Sequence, residues 1–281
     1  MSAIVPQQGA WVEPATRRQL TYHIWRPASG VRRVLIVIHG FGEHGGRYER
    51  VGHWLASEGF MVAVPDLWGH GRSGGRRGEM HSVAQCVHDC TSLLEHVFLP
   101  LAAHRRYALY GHSFGGLVAI QWVMANPPAL TRAVIQSPLL RVAMPIPQWK
   151  TFAAALLAHC WARYAFRMDL DASALSHDPS VVAAYRSDPL VHNVMSAGAY
   201  WAIRRTSDEV VALAQTVQVP ILLLTGGADR IVSVEAAQRW FDRLTCEKQS
   251  RMFPECYHEL HHEAVFNDVV RLVRDWTLFD D

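Results

Sequence analysis

The chain has 281 residues, half of them hydrophobic, and a formal net charge of +2. That length fills one large domain or a domain carrying an insertion, and the balanced charge leaves no polybasic footprint for nucleic acid. The first ten residues show neither a basic start nor an apolar block, and no apolar run exceeds strand length, so a cytoplasmic protein without a membrane span is expected.

Buried-strand signals alternate with helical ones along the chain. An N-terminal stretch through Leu20 to Trp25 reads as one or two antiparallel edge strands. Val34 to Ile38 is a β-branched run ending in His-Gly, and Arg47 to Ser57 is a helix stopped by Gly59. Phe60 to Val64 is the next strand, followed by a helix over Ser82 to Phe98. Tyr107 to Tyr110 is a strand and Leu117 to Asn126 a helix ended by Pro127-Pro128. Strands over Ala133 to Ile135, Ile221 to Thr225 and Gln249 to Phe253 follow, with helices over Ser233 to Leu244 and His261 to Leu278. Runs that stay apolar mark parallel strands covered on both faces, and the alternating order implies a doubly wound, mostly parallel α/β sheet.

The alternation fails once, over residues 140–213. That stretch carries helical pattern and prolines but no strand run, so it reads as a helical cap inserted after the sixth core strand. The core would then be 1–139 and 214–281. Trp149, Phe152, Leu156, Cys160 and Tyr164 recur at helical spacing, with Ala153, Leu157 and Trp161 beside them. This apolar face suits the inner side of a lid, or a peripheral membrane contact if it faces outward. Five cysteines, an odd number, speak against a disulfide scaffold. Cys86 and Cys90 share a helical face, but no second pair at ligand spacing completes a zinc site.

Gly111-His-Ser-Phe-Gly115 fits G-x-S-x-G between a strand and a helix. Ser113 therefore sits on a sharp turn that lifts its hydroxyl to the carboxyl end of the sheet and aims a helix N-terminus at it. A serine nucleophile needs a base, and the base an orienting acid. Asp229 follows the strand Ile221 to Thr225 and a glycine turn. The alternative acid position, after Ala133 to Ile135, holds Gln136-Ser-Pro and offers no carboxylate. His258 follows the last strand, whereas His261 and His262 fall inside the predicted helix. The oxyanion hole is assigned to the backbone N–H groups of Phe41 and Phe114.

Two further patterns compete. Gly40-Phe-Gly-Glu-His-Gly45, with Asp66 ending the next strand, outlines a dinucleotide fingerprint, and His258-Glu-Leu-His-His262 outlines a zincin helix. Neither needs the elbow serine, so no cofactor and no catalytic metal are expected.

His39-Gly-Phe-Gly-Glu-His-Gly-Gly-Arg-Tyr48, Asp66-Leu-Trp-Gly-His-Gly-Arg-Ser73, Gly111-His-Ser-Phe-Gly-Gly116 and Ser187-Asp-Pro-Leu190 resemble the monoacylglycerol lipase and lysophospholipase branch of the α/β-hydrolases, nearly end to end. The resemblance implies a capped esterase acting on single-acyl lipid esters through an acyl-enzyme at Ser113. Cys256 departs from the small residue that the resemblance leads one to expect before Tyr257. A proline-releasing aminopeptidase shares fold and triad. It would hold a substrate amino terminus with cap acids such as Asp169, Asp171, Asp178, Asp188 or Glu209. A non-catalytic binding relative is the remaining alternative.

Overall fold

The computed structural model describes residues 4, 6–28, 30–102, 105–144 and 160–278. Ten strands form along the chain: β1 (Gln7–Val12), β2 (Gln19–Trp25), β3 (Arg33–Ile38), β4 (Phe60–Pro65), β5 (Tyr107–His112), β6 (Leu130–Gln136), β7 (Ala165–Arg167), β8 (Val194–Ser196), β9 (Ile221–Gly226) and β10 (Lys248–Phe253). Eight of them make one sheet in the order β1-β2-β4-β3-β5-β6-β9-β10. β2 pairs antiparallel with both β1 and β4, and every pair from β4 to β10 is parallel.

β3, β4, β5 and β9 are buried at every residue, which is why they read as continuous apolar runs. Successive side chains of β3 part to opposite faces. Val34, Ile36 and Ile38 join one core layer, Leu35 and Val37 the other. The first layer is closed by α2 (Val83–Leu93), α3 (Phe114–Met124) and α6 (Val234–Asp242), the second by α1 (Glu49–Ser57) and α7 (Phe266–Thr277). Cys86 and Cys90 lie buried in the first layer as small apolar residues. Ser82 and Ser233 start α2 and α6 by accepting the N–H of Gln85 and Ala236.

Three expectations change at element ends. The helix foreseen over Ser82 to Phe98 leaves α geometry after Leu93 and passes through a wider turn over Leu94–Phe98. His261 and His262 lie not in the last helix but in a single 3₁₀ turn, Leu260–His262, ahead of α7. The stretch foreseen without strands contains β7 and β8, paired antiparallel over three residues each. They are too short to leave a strand pattern.

Residues 140–213 leave the sheet between β6 and β9, which are themselves paired, and also carry α4 (Pro179–Ser187) and α5 (Ala197–Ala212). Of the apolar stripe, Trp149, Phe152, Ala153, Leu156 and Leu157 lie outside the described residues, while Cys160, Trp161 and Tyr164 are exposed. Trp161 and Tyr164 face solvent at 70% and 52% of their surface. Among the described residues no helix is long and apolar enough to cross a membrane.

Candidate active site

Ser113 is the single residue between β5 and α3, with φ 55° and ψ −118°, a conformation a residue with a Cβ adopts only under strain. Three backbone bonds hold it there. Its N–H donates to the Gln136 carbonyl at 3.0 Å, and its own carbonyl accepts from Leu117 and Leu139. A Cβ on Gly111 would collide with the Gly115 carbonyl, and one on Gly115 with the carbonyls of β3's last turn at Ile38 and His39. Both glycines are therefore fixed by contact, as the sequence pattern implied.

Asp229 lies in the turn after β9 and His258 in the turn after β10. His258 Nδ1–H donates to Asp229 Oδ2 at 2.7 Å, and both side chains are buried. The other Asp229 oxygen accepts the N–H groups of Ile231 and Val232. Burial by itself would raise the Asp229 pKa, but the His258 charge and these bonds hold it below the usual carboxylate value. Burial likewise opposes a charged His258, yet the Asp229 carboxylate outweighs it and raises the imidazole above its ordinary 6.5. With Nδ1–H committed to Asp229, the Nε2 lone pair is the basic position. The Ser113 hydroxyl makes no hydrogen bond to His258 among the described residues. His112, next to Ser113 in the chain, has its ring centroid 4.7 Å from that of His258.

The loop after β3 comes up beside the elbow, where a Cβ on Gly40 would stand 3.3 Å from that of Ser113. The rings of Phe41 and Phe114 meet edge to face at 5.5 Å. Neither residue's backbone N–H has an acceptor among the described residues, and that of Phe114 is the first amide of α3. Glu43 holds the loop by accepting the Gly40 N–H at 2.6 Å and the Tyr48 hydroxyl at 2.9 Å.

Beneath the loop a buried ionic group joins three segments. Arg47 donates to Glu43 at 2.5 Å and to both oxygens of Glu259 at 2.6 and 2.7 Å. Burial works against all three charges, and their mutual attraction keeps Arg47 protonated and Glu259 far below the ordinary glutamate value. The Arg47 guanidinium also lies over the Tyr185 ring of α4 at 4.8 Å. Gln136 donates its amide to Nδ1 of both His112 and His261 at 3.0 Å, and accepts the Tyr110 hydroxyl. Burial, followed by the nearby His258, pushes His112 down to about 3, so this ring stays neutral beside the elbow.

A family model described as serine aminopeptidase, S33, matches residues 29–265. The chain belongs to that family. As a serine hydrolase of the α/β-hydrolase fold, it is similar to an abhydrolase domain-containing protein of Dictyostelium discoideum, 31% identical over 92% of this chain and 28% of that protein. It is 30% identical to a monoacylglycerol lipase of Mycolicibacterium smegmatis, over 92% of each chain. Among solved structures, a monoacylglycerol lipase of Paleococcus ferrophilus superposes with a TM-score of 0.84 at 29% identity, covering 92% of this chain and 98% of that one.

Seen as a serine hydrolase, the chain uses its two competing patterns otherwise. Asp66 accepts backbone N–H groups from Gly45 and Arg72 and the Thr21 hydroxyl, so it braces loops. The H-E-x-x-H residues do not share a helix: His258 holds Asp229, Glu259 holds Arg47 and His262 lies in the 3₁₀ turn. Glu259, His261 and His262 lie close enough to hold a metal ion, as do His23, His44 and Asp66. In the first group, however, Glu259 is committed to Arg47 and His261 Nδ1 to Gln136. Cys256 is buried at the turn before His258, and burial pushes its thiol to about 11, which leaves it unreactive. Sequence reasoning left Glu43, Arg47, Tyr185 and Glu259 without roles. The i, i+4 spacing of Glu43 and Arg47 was a readable signal, while Glu259 and Tyr185 reach them only through tertiary contact.

Proposed function

We propose that the chain hydrolyses single-acyl lipid esters, monoacylglycerol or a lysophospholipid-type ester, through a Ser113–His258–Asp229 triad. The observation that carries this reading is the buried 2.7 Å bond from His258 to Asp229 beside an elbow serine in its strained turn. The substrate class rests on the monoacylglycerol lipases among the similar proteins.

In this mechanism His258 Nε2 takes the Ser113 proton as Oγ attacks the ester carbonyl. The N–H groups of Phe41 and Phe114 receive the charge that develops on the carbonyl oxygen, and the imidazolium returns the proton to the departing alcohol. Water activated by the same imidazole then releases the acid and frees Ser113. Residues 140–213 act as the cap. Leu175, in that segment, accepts the Glu259 N–H at 2.8 Å, and His192 donates its N–H to Gly42 at 2.8 Å, so the segment lies against both the base turn and the oxyanion loop.

The aminopeptidase alternative needs free acids facing the site. Asp171 and Asp178 instead cap their own turns by accepting the N–H of Ser173 and Ser180, Asp188 pairs with His44, and Asp169 and Glu209 are exposed.

The test compares the protein with its Ser113→Ala variant on a monoacylglycerol, nitrophenyl esters of rising chain length and an aminoacyl amide. Turnover of the lipid ester, falling by about a thousandfold or more in the variant, is expected. Activity retained by the variant would remove Ser113 as nucleophile, and preference for the amide would transfer the substrate class to peptides.

A further inference from the structure

We propose that His70 and His192 form a subsite that binds a hydroxyl group of the substrate, beside Phe41. The subsite rests on the ester-hydrolase reading above and adds to it a pair of residues that selects the substrate. His70 lies in the loop after β4, and His192 lies in the inserted segment just ahead of β8. Their ring centroids are 4.9 Å apart, and the Phe41 ring stands edge-on to both, at 4.8 and 6.0 Å.

Three imidazoles crowd this corner, and one of them is fully bonded. His39 shares Nδ1 with the Gly40 carbonyl at 2.7 Å, and its Nε2 accepts the Leu67 N–H at 3.0 Å. His70 and His192 each use one nitrogen only. His70 Nδ1–H donates to the Trp68 carbonyl at 3.0 Å, and His192 Nδ1 accepts the Val194 N–H at 3.3 Å. Both Nε2 atoms are buried with no hydrogen-bond partner among the described residues, and His70 as a whole is 1% exposed. The Gly69 backbone lies near His192 but gives its Nε2 no hydrogen bond. Polar atoms buried in this way are costly to keep without a ligand.

The bonds at Nδ1 fix what each free nitrogen offers. His70 has its proton on Nδ1, so its Nε2 carries a lone pair, whereas His192 has its lone pair on Nδ1, so its Nε2 carries the proton. Burial, with His39 and His192 adding to it, pushes His70 well below the ordinary 6.5. Burial, followed by the Arg77 charge, pushes His192 down to about 4. At neutral pH the pair is therefore one neutral acceptor beside one neutral donor. The lone pair repels an anion and the N–H repels a cation. A hydroxyl group gives one hydrogen bond and accepts another, so it satisfies both.

The pair straddles the seam between the core and the 140–213 segment. His192 is pinned there, because its backbone N–H donates to the Gly42 carbonyl at 2.8 Å and a Cβ on Gly42 would strike the His192 carbonyl. Lifting the segment uncovers the two nitrogens, and closing it on a substrate brings the His192 N–H against the hydroxyl. A monoacylglycerol carries free hydroxyls within a few bonds of its ester carbonyl, and so does the ester of a hydroxylated fatty acid.

The test measures kcat and KM on the glycerol monoester of octanoic acid, the methyl ester of a hydroxylated octanoic acid and plain methyl octanoate. The unaltered protein should favour a hydroxyl-bearing ester over the plain one in kcat/KM. His192→Leu should lower that preference by about tenfold or more, mainly through KM. His192→Gln keeps a donor and should restore most of it. His70→Asn keeps a donor toward Trp68 but loses the Nε2 lone pair, so it should lower the preference too, and it serves should His192→Leu not fold. A response of the glycerol ester places the bound hydroxyl in the alcohol part, and a response of the hydroxylated acid places it in the acyl chain. Equal losses on all three esters would overturn the subsite and leave the pair a structural role. So would a preference unchanged in the variants. Turnover of none of the three by the unaltered protein would instead remove the ester-hydrolase reading, and the subsite with it.

Discussion

The charge state of His258 is set by one buried carboxylate. Asp229 raises the imidazole above 6.5 against the cost of burial. In the proposed mechanism the base works only with Nε2 unprotonated, so protonation would remove activity. We expect kcat/KM to fall with unit slope as pH drops through a midpoint above 6.5, read from rates on a nitrophenyl ester. Asp229→Asn withdraws the charge and favours the wrong tautomer, so it should lower the rate by about 10³–10⁴-fold and move the midpoint down. A flat profile between about pH 5 and 8 would exclude His258 as the base. At this scale the sequence was informative because Ser113, Asp229 and His258 each follow a strand in a recognisable turn. The strand ends converge at one edge of a parallel sheet.

At the scale of elements, the segment from the loop after β3 into α1 is anchored by charge as well as by apolar packing. Val51, Leu55 and Ala56 bury one face of α1, while Arg47, just before it, joins Glu43 to Glu259. Taking away the cation leaves two buried carboxylates facing each other. Arg47→Met is expected to cost about 3–5 kcal/mol in urea unfolding, far more than the loss of an exposed pair. A loss below about 1 kcal/mol would show that water reaches the group and screens it. The elements themselves were legible where a serine cap or a proline stop marked them. The boundaries that shifted, at Leu93 and His261, have no such mark, since the wider turn and the 3₁₀ turn use the same residues as an α-helix.

At the scale of the whole molecule, residues 140–213 are seated on the core by α5, whose Ala199, Ile203 and Val210 join the first core layer, and by backbone contacts. Ser196 donates its N–H to the Gly78 carbonyl at 3.0 Å, His192 donates its N–H to Gly42, and Leu175 accepts that of Glu259. Gly78 has φ 69°, and a Cβ there would strike the Val194 carbonyl of β8. Gly78→Ala should therefore unseat the segment at that point with a loss of about 1–3 kcal/mol. Limited proteolysis should cut within 140–213 several times faster than in the unaltered protein, while the sheet resists. Cleavage at an unchanged rate would show that the remaining contacts suffice.

Periodicity and turn chemistry, both local, determined the doubly wound sheet, the place of the inserted segment, the turn of Ser113 and the turns that bear Asp229 and His258. Such signals survive in a linear chain because each depends on neighbours a few residues away. Tertiary structure alone decided which charges meet. Arg47 and Glu259 stand 212 positions apart, and His44 and Asp188 stand 144 apart. It also decided that β7 pairs with β8 and that Gln136 serves two histidines. Those outcomes depend on how separate elements close against one another, and a single sequence carries no periodic trace of that closure.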